Sequence, residues 1–447
     1  MKFHPVARPV MITGIAAVAL SVSVLAGCST GSPTTSAPAA SSGSAPSSSA
    51  PSTSAPSGEV RVLAVEGPET DALESESATF TKSSGITVKV DKVARDVWGQ
   101  RKVAELSQDA GTYDVVFLGG GDDAVWMLKH AHVKDLTPYL GEDLVKDVVN
   151  HELFTKEDGS FVGAPQYYNF PVTLYRADLF KNPDEQAAFK AKYGRELAPP
   201  TTFDELVDIA TFFNRPKDNL YGTCLGGVDW SVFLDDTYFT YGQDSNFGDL
   251  DTGELTLNTP EQVKSLKYIK QLTELNAPGW ESLSFFDCDN QMKAGTVAIY
   301  QNWLYAWRAL GADMGDTLAM APPAGVKTHL GSMLATIPEK APNPDAAGAF
   351  IKWMLSDEFQ RAEAQQTGNL PVLSSQQSSA DFTTVLPELD MLKSVASRLT
   401  YLHTTWSGEL SSGVSQAIAK VTSGESTPEE AAAWLQNEKF AGRKAIE

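Results

Sequence analysis

The chain has 447 residues and a formal net charge of −21, because 56 acidic residues outnumber 35 Lys and Arg residues. This acidic balance argues against nucleic acid and anionic lipid surfaces as partners. The length exceeds the roughly 250 to 300 residues at which a single hydrophobic core stops growing, so at least two lobes are expected.

The first 27 residues have the pattern of a secretory signal peptide. Lys2 and Arg8 precede an apolar run from Val10 to Val24, and the small-residue stretch from Leu25 to Gly27 leads to Cys28. The run is shorter than the roughly 20 residues of a membrane-spanning helix, which favours cleavage. The stretch ending at Cys28 resembles a bacterial lipobox, which implies lipidation of Cys28 and anchoring to the outer face of the cell membrane. An ordinary signal peptide with a chance cysteine is the alternative.

Residues 28–58 are predicted to form a flexible tether. From residue 29 to residue 57 the sequence contains only Ser, Pro, Ala, Thr and Gly. A segment without charged or large apolar side chains cannot bury a core and stays disordered. The folded part of the chain is therefore expected to begin near residue 59.

Two cysteines remain beyond the signal region. Cys224 and Cys288 would face an oxidising compartment after export, which predicts a disulfide between them. Two buried free thiols are the alternative. The cysteine spacing does not have the form of a metal site, and we expect neither a metal nor a cofactor.

Strand and helix signals alternate along the rest of the chain. The predicted strands are Val60–Val65, Val88–Val90, Asp114–Leu118, Val172–Tyr175, Thr296–Tyr300 and Leu318–Met320. Helices are predicted to start at Thr202, Thr259 and Thr427, each of which fits a capping box. This alternation predicts an α/β fold, in which ligands bind beyond the carboxyl ends of the strands. The corresponding loops are 66–70, 119–123 and 301–303.

Six segments resemble the family 1 extracellular solute-binding proteins. They occur in the family's order and are Tyr113–Phe117, Val133–Leu140, Gly163–Phe180, Pro200–Leu206, Lys293–Trp303 and Asn343–Trp353. The resemblance runs from about residue 60 to the C-terminus. It implies a periplasmic-binding-protein-like fold of type II, with two α/β lobes joined by several crossing segments.

The resemblance also implies how the chain divides between the lobes. It places residues 59–169 and 318–356 in the first lobe, and residues 170–317 and 357–447 in the second. The crossings are expected near Tyr168–Pro171, Thr317–Met320 and Ser356–Gln360. In function it implies a monomer that captures a small carbohydrate and delivers it to the permease subunits of an ABC transporter.

Three tryptophans are the candidate platforms for a sugar, whose faces carry C–H groups that stack on aromatic rings. Trp303 follows a predicted strand and matches a tryptophan of the family. Trp230 and Trp406 match aromatic positions of maltose-binding relatives. Core packing is the alternative for each.

Polar side chains in the same loops are the candidate partners of sugar hydroxyls, since carboxylates accept strong hydrogen bonds. Asp122 and Asp123 follow three glycines, and Glu66 and Glu69 follow the first strand. A solvated turn is the alternative for the two aspartates. The remaining candidates are Tyr168 and Asn169 on the first crossing, and Asp229 beside Trp230.

Three different functions compete with carbohydrate transport. An exported glycoside hydrolase needs two carboxylates that flank one bond, whereas the adjacent pairs Asp122–Asp123 and Asp235–Asp236 would point apart. The spacing of His130 and His132 does not place both on one helix face. We therefore expect no catalytic residues. The second competing function is that of a structural adhesin, and the third is that of an ABC binding protein for a non-sugar solute.

Overall fold

The fold is taken from a computed structural model that describes residues 58–447, without the side chains of Asp96 and Asp229. The predicted signal peptide, Cys28 and almost all of the tether lie outside the described residues. Within this range the strands are β1 (Gly58–Val65), β2 (Ile86–Val93), β3 (Val115–Gly119), β4 (Ala164–Pro165), β5 (Pro171–Arg176), β6 (Ile299–Trp303), β7 (Leu318–Ala321), β8 (Thr328–His329), β9 (Met333–Thr336) and β10 (Leu399–Thr400).

The α-helices of the same range surround these strands. They are α1 (Pro68–Ser84), α2 (Arg95–Ser107), α3 (Ala124–His130), α4 (Thr137–Leu140), α5 (Glu142–Asp147), α6 (Ala177–Lys181), α7 (Pro183–Tyr193), α8 (Phe203–Phe213), α9 (Asp229–Gly242), α10 (Pro260–Thr273), α11 (Phe285–Lys293), α12 (Leu304–Met314), α13 (Pro344–Met354), α14 (Asp357–Thr367), α15 (Ser374–Gln377), α16 (Ala380–Val385), α17 (Leu389–Ala396), α18 (Ser407–Thr422) and α19 (Pro428–Trp434). Short 3₁₀ turns lie at His151–Phe154, Pro216–Asp218, Trp280–Ser282 and Gly315–Thr317, and a π-helical turn at Leu435–Lys439.

Two sheets define two lobes. The first lobe is built on a five-stranded sheet of order β2-β1-β3-β9-β4, in which β2, β1 and β3 are parallel and β9 is antiparallel. The second lobe is built on the antiparallel sheet β6-β5-β7. The carboxyl ends of β1 and β3 lie at one edge of the first sheet, which places their following loops side by side.

The helix starts follow the sequence signals closely. The hydroxyls of Thr202 and Thr427 accept the backbone N–H groups of Glu205 and Glu430, and both glutamates complete a capping box. Thr259 accepts the N–H of Gln262 without the reciprocal bond. These caps satisfy amide groups that the first turn of a helix leaves unpaired.

The chain crosses between the sheets at positions that differ in part from the prediction. The first crossing follows β4 and leads to β5. The strand Leu318–Ala321, predicted to open the return to the first lobe, instead pairs with β5 in the second sheet, so the chain returns only after Ala321. The predicted boundary at residue 318 is therefore too early.

The third crossing also lies later than predicted. Helix α14, assigned from the sequence to the second lobe, packs against α1 of the first. The side-chain amide of Gln360 donates to the carbonyl oxygen of Gln166 at 2.7 Å, which fixes α14 beside the first crossing. It is α18 that packs against α9 and α10 of the second lobe. Residue 357 therefore does not begin the second lobe.

A disulfide joins Cys224 and Cys288 in the second lobe, the pairing that the sequence predicts. Both cysteines are buried. The bond connects the segment that leads into α9 with helix α11. Helices α9 and α11 supply Trp230, Phe285 and Phe286 to the cleft between the lobes.

Candidate functional site

A cleft of about 660 Å³ lies between the two lobes. Its first-lobe side is formed by loops that follow β1 and β3, from Glu66 to Thr70 and from Gly119 to Asp123. Its second-lobe side includes Trp303 at the end of β6 and residues of α9 and α11. The three loops selected from the sequence therefore all contribute to one cleft.

Asp123 is held within the first lobe by a cation. The Nζ atom of Lys102 lies 2.5 Å from Oδ2 of Asp123, and both side chains are largely buried. The backbone N–H of Gly119 donates to the same oxygen at 2.8 Å. The ammonium group of Lys102 also lies 3.8 Å from the ring centroid of Trp98. Asp123 thus organises the glycine-rich loop, and its charge is compensated there.

Asp122 has a different environment from its neighbour. Its Oδ1 atom is buried without a hydrogen-bond partner, and so is Nδ1 of His329. The Nε2 atom of His329 lies 3.8 Å from that Oδ1 atom, which is longer than a hydrogen bond. Burial lowers the pKa of His329, although the charge of Asp122 opposes the shift. Asp122 and His329 both line the cleft, while the Oδ1 atom of Asp122 and the Nδ1 atom of His329 lie enclosed beneath its surface.

Trp303 lines the cleft together with Asp122 and His329, and we call these three residues the polar corner. Its ring meets the ring of His329 edge to face at a centroid distance of 5.5 Å. His329 also stacks on the ring of Tyr241, with the two ring centroids 5.8 Å apart. A Cβ atom on Gly331 would clash with the Trp303 ring, so glycine is needed for this approach. The indole is thus fixed against His329, and Asp122 lines the same cleft.

Two glutamates interact on the first-lobe side of the cleft: Glu69 is half-buried and lines the cleft, whereas Glu363 is fully buried. Asn369 donates to Oε1 of Glu69 at 3.3 Å, and Gln166 donates to Oε2 of Glu363 at 3.4 Å. Burial raises the pKa of Glu69, and burial together with the charge of Glu69 raises that of Glu363 well above its ordinary value. Glu66, by contrast, is exposed where it lines the cleft.

The second lobe presents four contiguous rings to the cleft, which we call the aromatic wall: Trp230, Phe285, Phe286 and Tyr305. Trp230 meets Phe285 edge to face at 4.6 Å, Phe285 lies 4.4 Å from Phe286, and Phe286 lies 5.8 Å from Tyr305. The hydroxyl of Tyr305 donates to Asp289 at 3.0 Å. The wall is therefore almost wholly apolar.

Arg95 connects the two lobes. The guanidinium carbon lies 5.2 Å from the ring centroid of Trp230 and 5.8 Å from that of Trp98. Arg95 and Trp98 belong to α2 of the first lobe, whereas Trp230 belongs to α9 of the second. Such a cation over an aromatic ring is attractive.

Most residues selected from the sequence meet in this cleft. Those that line it are Trp303, Trp230, Asp122, Asp123, Asn169, Glu66 and Glu69. The Oδ1 atom of Asn169 already accepts the backbone N–H of Leu304 at 2.9 Å. The side chain of Asp229 lies outside the described residues.

Tyr168 and Trp406 are not brought to the cleft. The side chain of Tyr168 is fully buried and its hydroxyl donates to the carbonyl oxygen of Val149. Neighbours on extended backbone point to opposite sides, so Tyr167 lines the cleft instead. Trp406 donates its Nε1–H to Lys444 at 2.8 Å and packs against Phe440.

Several cleft residues were missed in the sequence. Arg95, Trp98 and Lys102 are spaced by three and four residues, which places them on one face of α2. This spacing could have predicted that the three side chains lie together. The pair Phe285–Phe286 follows the helix cap Ser284, where one of two adjacent rings must turn away from the core. His329 stands alone in a short strand and gave no signal.

Two further features concern metal binding and membrane insertion. Among residues 58–447 no group of three or more His, Cys, Asp or Glu side chains is arranged to hold a metal ion. In the same range no helix is long and apolar enough to cross a membrane.

The comparisons agree with one another. The family model described as bacterial extracellular solute-binding protein matches residues 66–361. A probable ABC transporter-binding protein of Deinococcus radiodurans is 24% identical over 389 residues, which cover 81% of this chain and 88% of that protein.

Two solved structures share the fold. An ABC transporter solute-binding protein of Agrobacterium radiobacter K84 in complex with ribitol has a TM-score of 0.71 and 23% identity, and the match covers 85% of this chain and 98% of the other. Maltose-bound MalE3 of T. maritima has a TM-score of 0.72 and 18% identity, with 86% and 99% covered. These likenesses show a two-lobed fold of type II.

Proposed function

Because the chain belongs to the bacterial extracellular solute-binding protein family, we propose that it captures a carbohydrate between its lobes and delivers it to an ABC importer. The ligand class covers sugars, oligosaccharides and polyols. The observation that carries this proposal is that Asp122, whose Oδ1 atom has no hydrogen-bond partner, and the indole of Trp303 line the same cleft. The oxygen suits a hydroxyl donor, and the indole suits the C–H face of a sugar.

The known ligands of similar proteins support this class. The related structures described above hold ribitol and maltose, a polyol and a sugar. Ligand contacts of this chain are proposed at Trp303, Trp230, Asp122, Asn169, Glu66 and Glu69. Asp123 is proposed to act indirectly, because its carboxylate is bound to Lys102.

The arrangement of carboxylates favours capture over glycoside hydrolysis. Of the first adjacent pair, Asp123 is tied to Lys102 and only Asp122 keeps a free buried oxygen. Of the second pair, Asp236 is fully buried and accepts hydrogen bonds from Ser265 at 2.5 Å and Gln262 at 2.8 Å. Hydrolysis needs two carboxyl groups that flank one glycosidic bond.

We further propose that the protein works as an exported monomer with permease subunits as its partners. Ligand would bind one lobe first, and closure would bring the second lobe over it. Such a ligand shifts the equilibrium only if it contacts the closed state more fully than the open one. The cleft, with polar groups on one lobe and the aromatic wall on the other, supports this order of events.

The proposal is tested by a thermal-shift screen of the purified protein against sugars, oligosaccharides and alditols. A ligand at 100 times its dissociation constant stabilises the native state by about 2.7 kcal/mol, which a melting curve resolves. At least one carbohydrate is expected to raise the Tm. Amino acids and short peptides serve as the comparison set. Stabilisation by members of that set alone would favour a non-sugar solute instead.

The membrane anchor has its own test. If Cys28 carries the lipid, Cys28→Ala should move the protein from the membrane fraction to the medium, because its acyl chains provide the anchor. Fractionation followed by immunoblotting measures this change. Ligand binding by the released protein should equal that of the parent. Continued retention of the variant in the membrane fraction would contradict lipidation at this residue.

A further inference from the structure

Apart from the indole N–H of Trp230, the aromatic wall offers a ligand little to hydrogen-bond with. Phe285 and Phe286 have no polar side-chain atom, and the hydroxyl of Tyr305 donates to Asp289. That carboxylate is itself engaged, since it also accepts the hydroxyl of Tyr300 and the amide of Asn302 at 2.5 Å each. A sugar hydroxyl placed against the wall would lose its water partners without replacement, which is costly.

The opposite side of the same cleft is polar. Asp122 has a free buried oxygen, Lys102 and Asp123 form an ion pair, and Glu66 is exposed. Trp303 lies in this polar corner, against His329. The cleft is therefore divided into a part that suits hydroxyl groups and a part that does not.

Phe286 shows which surface of the wall is left open. Large hydrophobic side chains that are exposed within residues 58–447 are Val97, Val103, Phe286 and Val326. Of these only Phe286 lines the cleft, with 51% of its surface exposed. A ring so exposed in a binding cleft is stabilised when an apolar group covers it.

We propose that Phe285, Phe286 and Tyr305 form a second subsite, which takes an apolar aglycone linked to the carbohydrate. The inference rests on the proposed function and narrows its ligand to an aryl or alkyl glycoside. The sugar contacts Asp122 and Trp303, and the aglycone stacks on the three rings. Trp230 lies at the border between the two subsites, where it touches Phe285.

The experiment compares matched glycosides by calorimetric titration of the mature protein. The probes are the methyl and p-nitrophenyl glycosides of glucose, galactose, mannose and xylose in both anomeric forms, with the free sugars and p-nitrophenol alone. For at least one sugar the p-nitrophenyl glycoside is expected to bind about tenfold more tightly than the methyl glycoside, equivalent to about 1.4 kcal/mol. Equal affinity of the two series would overturn the inference.

Two variants identify the subsite. Phe286→Ser should reduce the tenfold preference to about twofold, so that p-nitrophenyl glycosides lose about fivefold more affinity than methyl glycosides, because the ring is largely exposed and its loss disturbs little packing. Val326→Ser is the matched control, since Val326 is 56% exposed but does not line the cleft. An equal loss for both glycosides in Phe286→Ser would mean that Phe286 contacts the sugar itself, against the proposal.

The remaining outcomes separate this inference from the proposed function. Binding of free sugars or methyl glycosides without an aryl preference would overturn the second subsite and retain carbohydrate capture. Absence of binding by every carbohydrate in the screen and in this panel would overturn both. Binding of p-nitrophenol as tightly as its glycosides would also contradict the proposal, since the sugar would then contribute nothing.

Discussion

Trp303 has one edge in the cleft and another packed on His329 and Gly331. Trp303→Ala should therefore weaken carbohydrate binding by about 1 to 3 kcal/mol, the range for buried aromatic anchors. The fold should be largely retained, because the indole is only partly buried. Calorimetric titration with a carbohydrate identified in the screen measures the first effect, and a melting curve measures the second.

Trp353 is the contrasting control for this prediction. It lies in the core of the first lobe, where its ring contacts Phe80 at 5.4 Å and Phe359 at 4.9 Å. Trp353→Ala should cost about 3 to 5 kcal/mol of unfolding free energy and leave the affinity of the folded protein unchanged. The opposite pattern in the two variants would place the ligand away from Trp303.

Glu363 carries a prediction of pH dependence. It is fully buried near Glu69 of α1, and burial raises its pKa well above the ordinary value of 4.5. The native state therefore binds a proton that the unfolded state releases. The contribution of this proton to the free energy of unfolding is fully present below about pH 4.5. It is lost as the pH rises through the raised pKa of Glu363. Arg95 and Tyr167 also interact electrostatically with these glutamates.

Glu363→Gln removes this titration, because an amide stays neutral at every pH. Its Tm should fall less between pH 5 and pH 8 than that of the parent protein. Glu358→Gln is the matched control, since Glu358 is exposed on the same helix. Parallel Tm curves for the parent and Glu363→Gln would show that Glu363 is ionised in the native state.

At the level of single residues, the sequence located side chains most directly at the ends of strands. Asp122 and Glu69 follow strands, Trp303 ends one, and all three line the cleft. Tyr168 failed because a one-residue change on extended backbone reverses the direction of a side chain. Asp122 and Asp123 show a further limit. Only the position of Lys102, 21 residues away, reveals which carboxylate is compensated.

At the level of elements, the strands and helix caps followed from local signals, whereas the crossings did not. β1, β2, β5 and β7 contain the predicted runs, β3 begins one residue later than predicted, and β6 shares only Ile299 and Tyr300 with its predicted run. The caps at Thr202 and Thr427 form because their hydrogen bonds span three residues. The assignment of Leu318–Ala321 and α14 to a lobe depends on partners far along the chain, Thr173 and Gln166. No local pattern contains that information.

The disulfide links two elements of the second lobe, and its removal is predicted to destabilise the fold. Cys224 and Cys288 are separated by 64 residues, for which the loop-entropy relation gives about 4 kcal/mol. The double variant Cys224→Ala/Cys288→Ala should lose unfolding free energy of this order in urea titrations. Thiol titration of the mature, unreduced and unfolded protein should find no free thiol. Two free thiols would exclude the bond.

At the level of the whole molecule, function depends on the balance between open and closed lobes. The pair Arg95–Trp230 can favour closure before a ligand arrives, because it joins α2 of the first lobe to α9 of the second. An exposed cation over an aromatic ring contributes about 0.5 to 1 kcal/mol. That energy changes the ratio of two states about two- to fivefold.

Arg95→Ala should therefore shift the unliganded protein towards the open state. We expect a larger radius of gyration in small-angle X-ray scattering, and a two- to fivefold weaker affinity, since binding then has to supply the lost closure energy. Trp230→Ala should open the lobes to the same extent, and the double variant no further, because both changes remove one contact. Arg101→Ala is the control, as Arg101 is exposed on α2 but does not line the cleft. Unaltered scattering of unliganded Arg95→Ala would show that closure in solution does not depend on this contact.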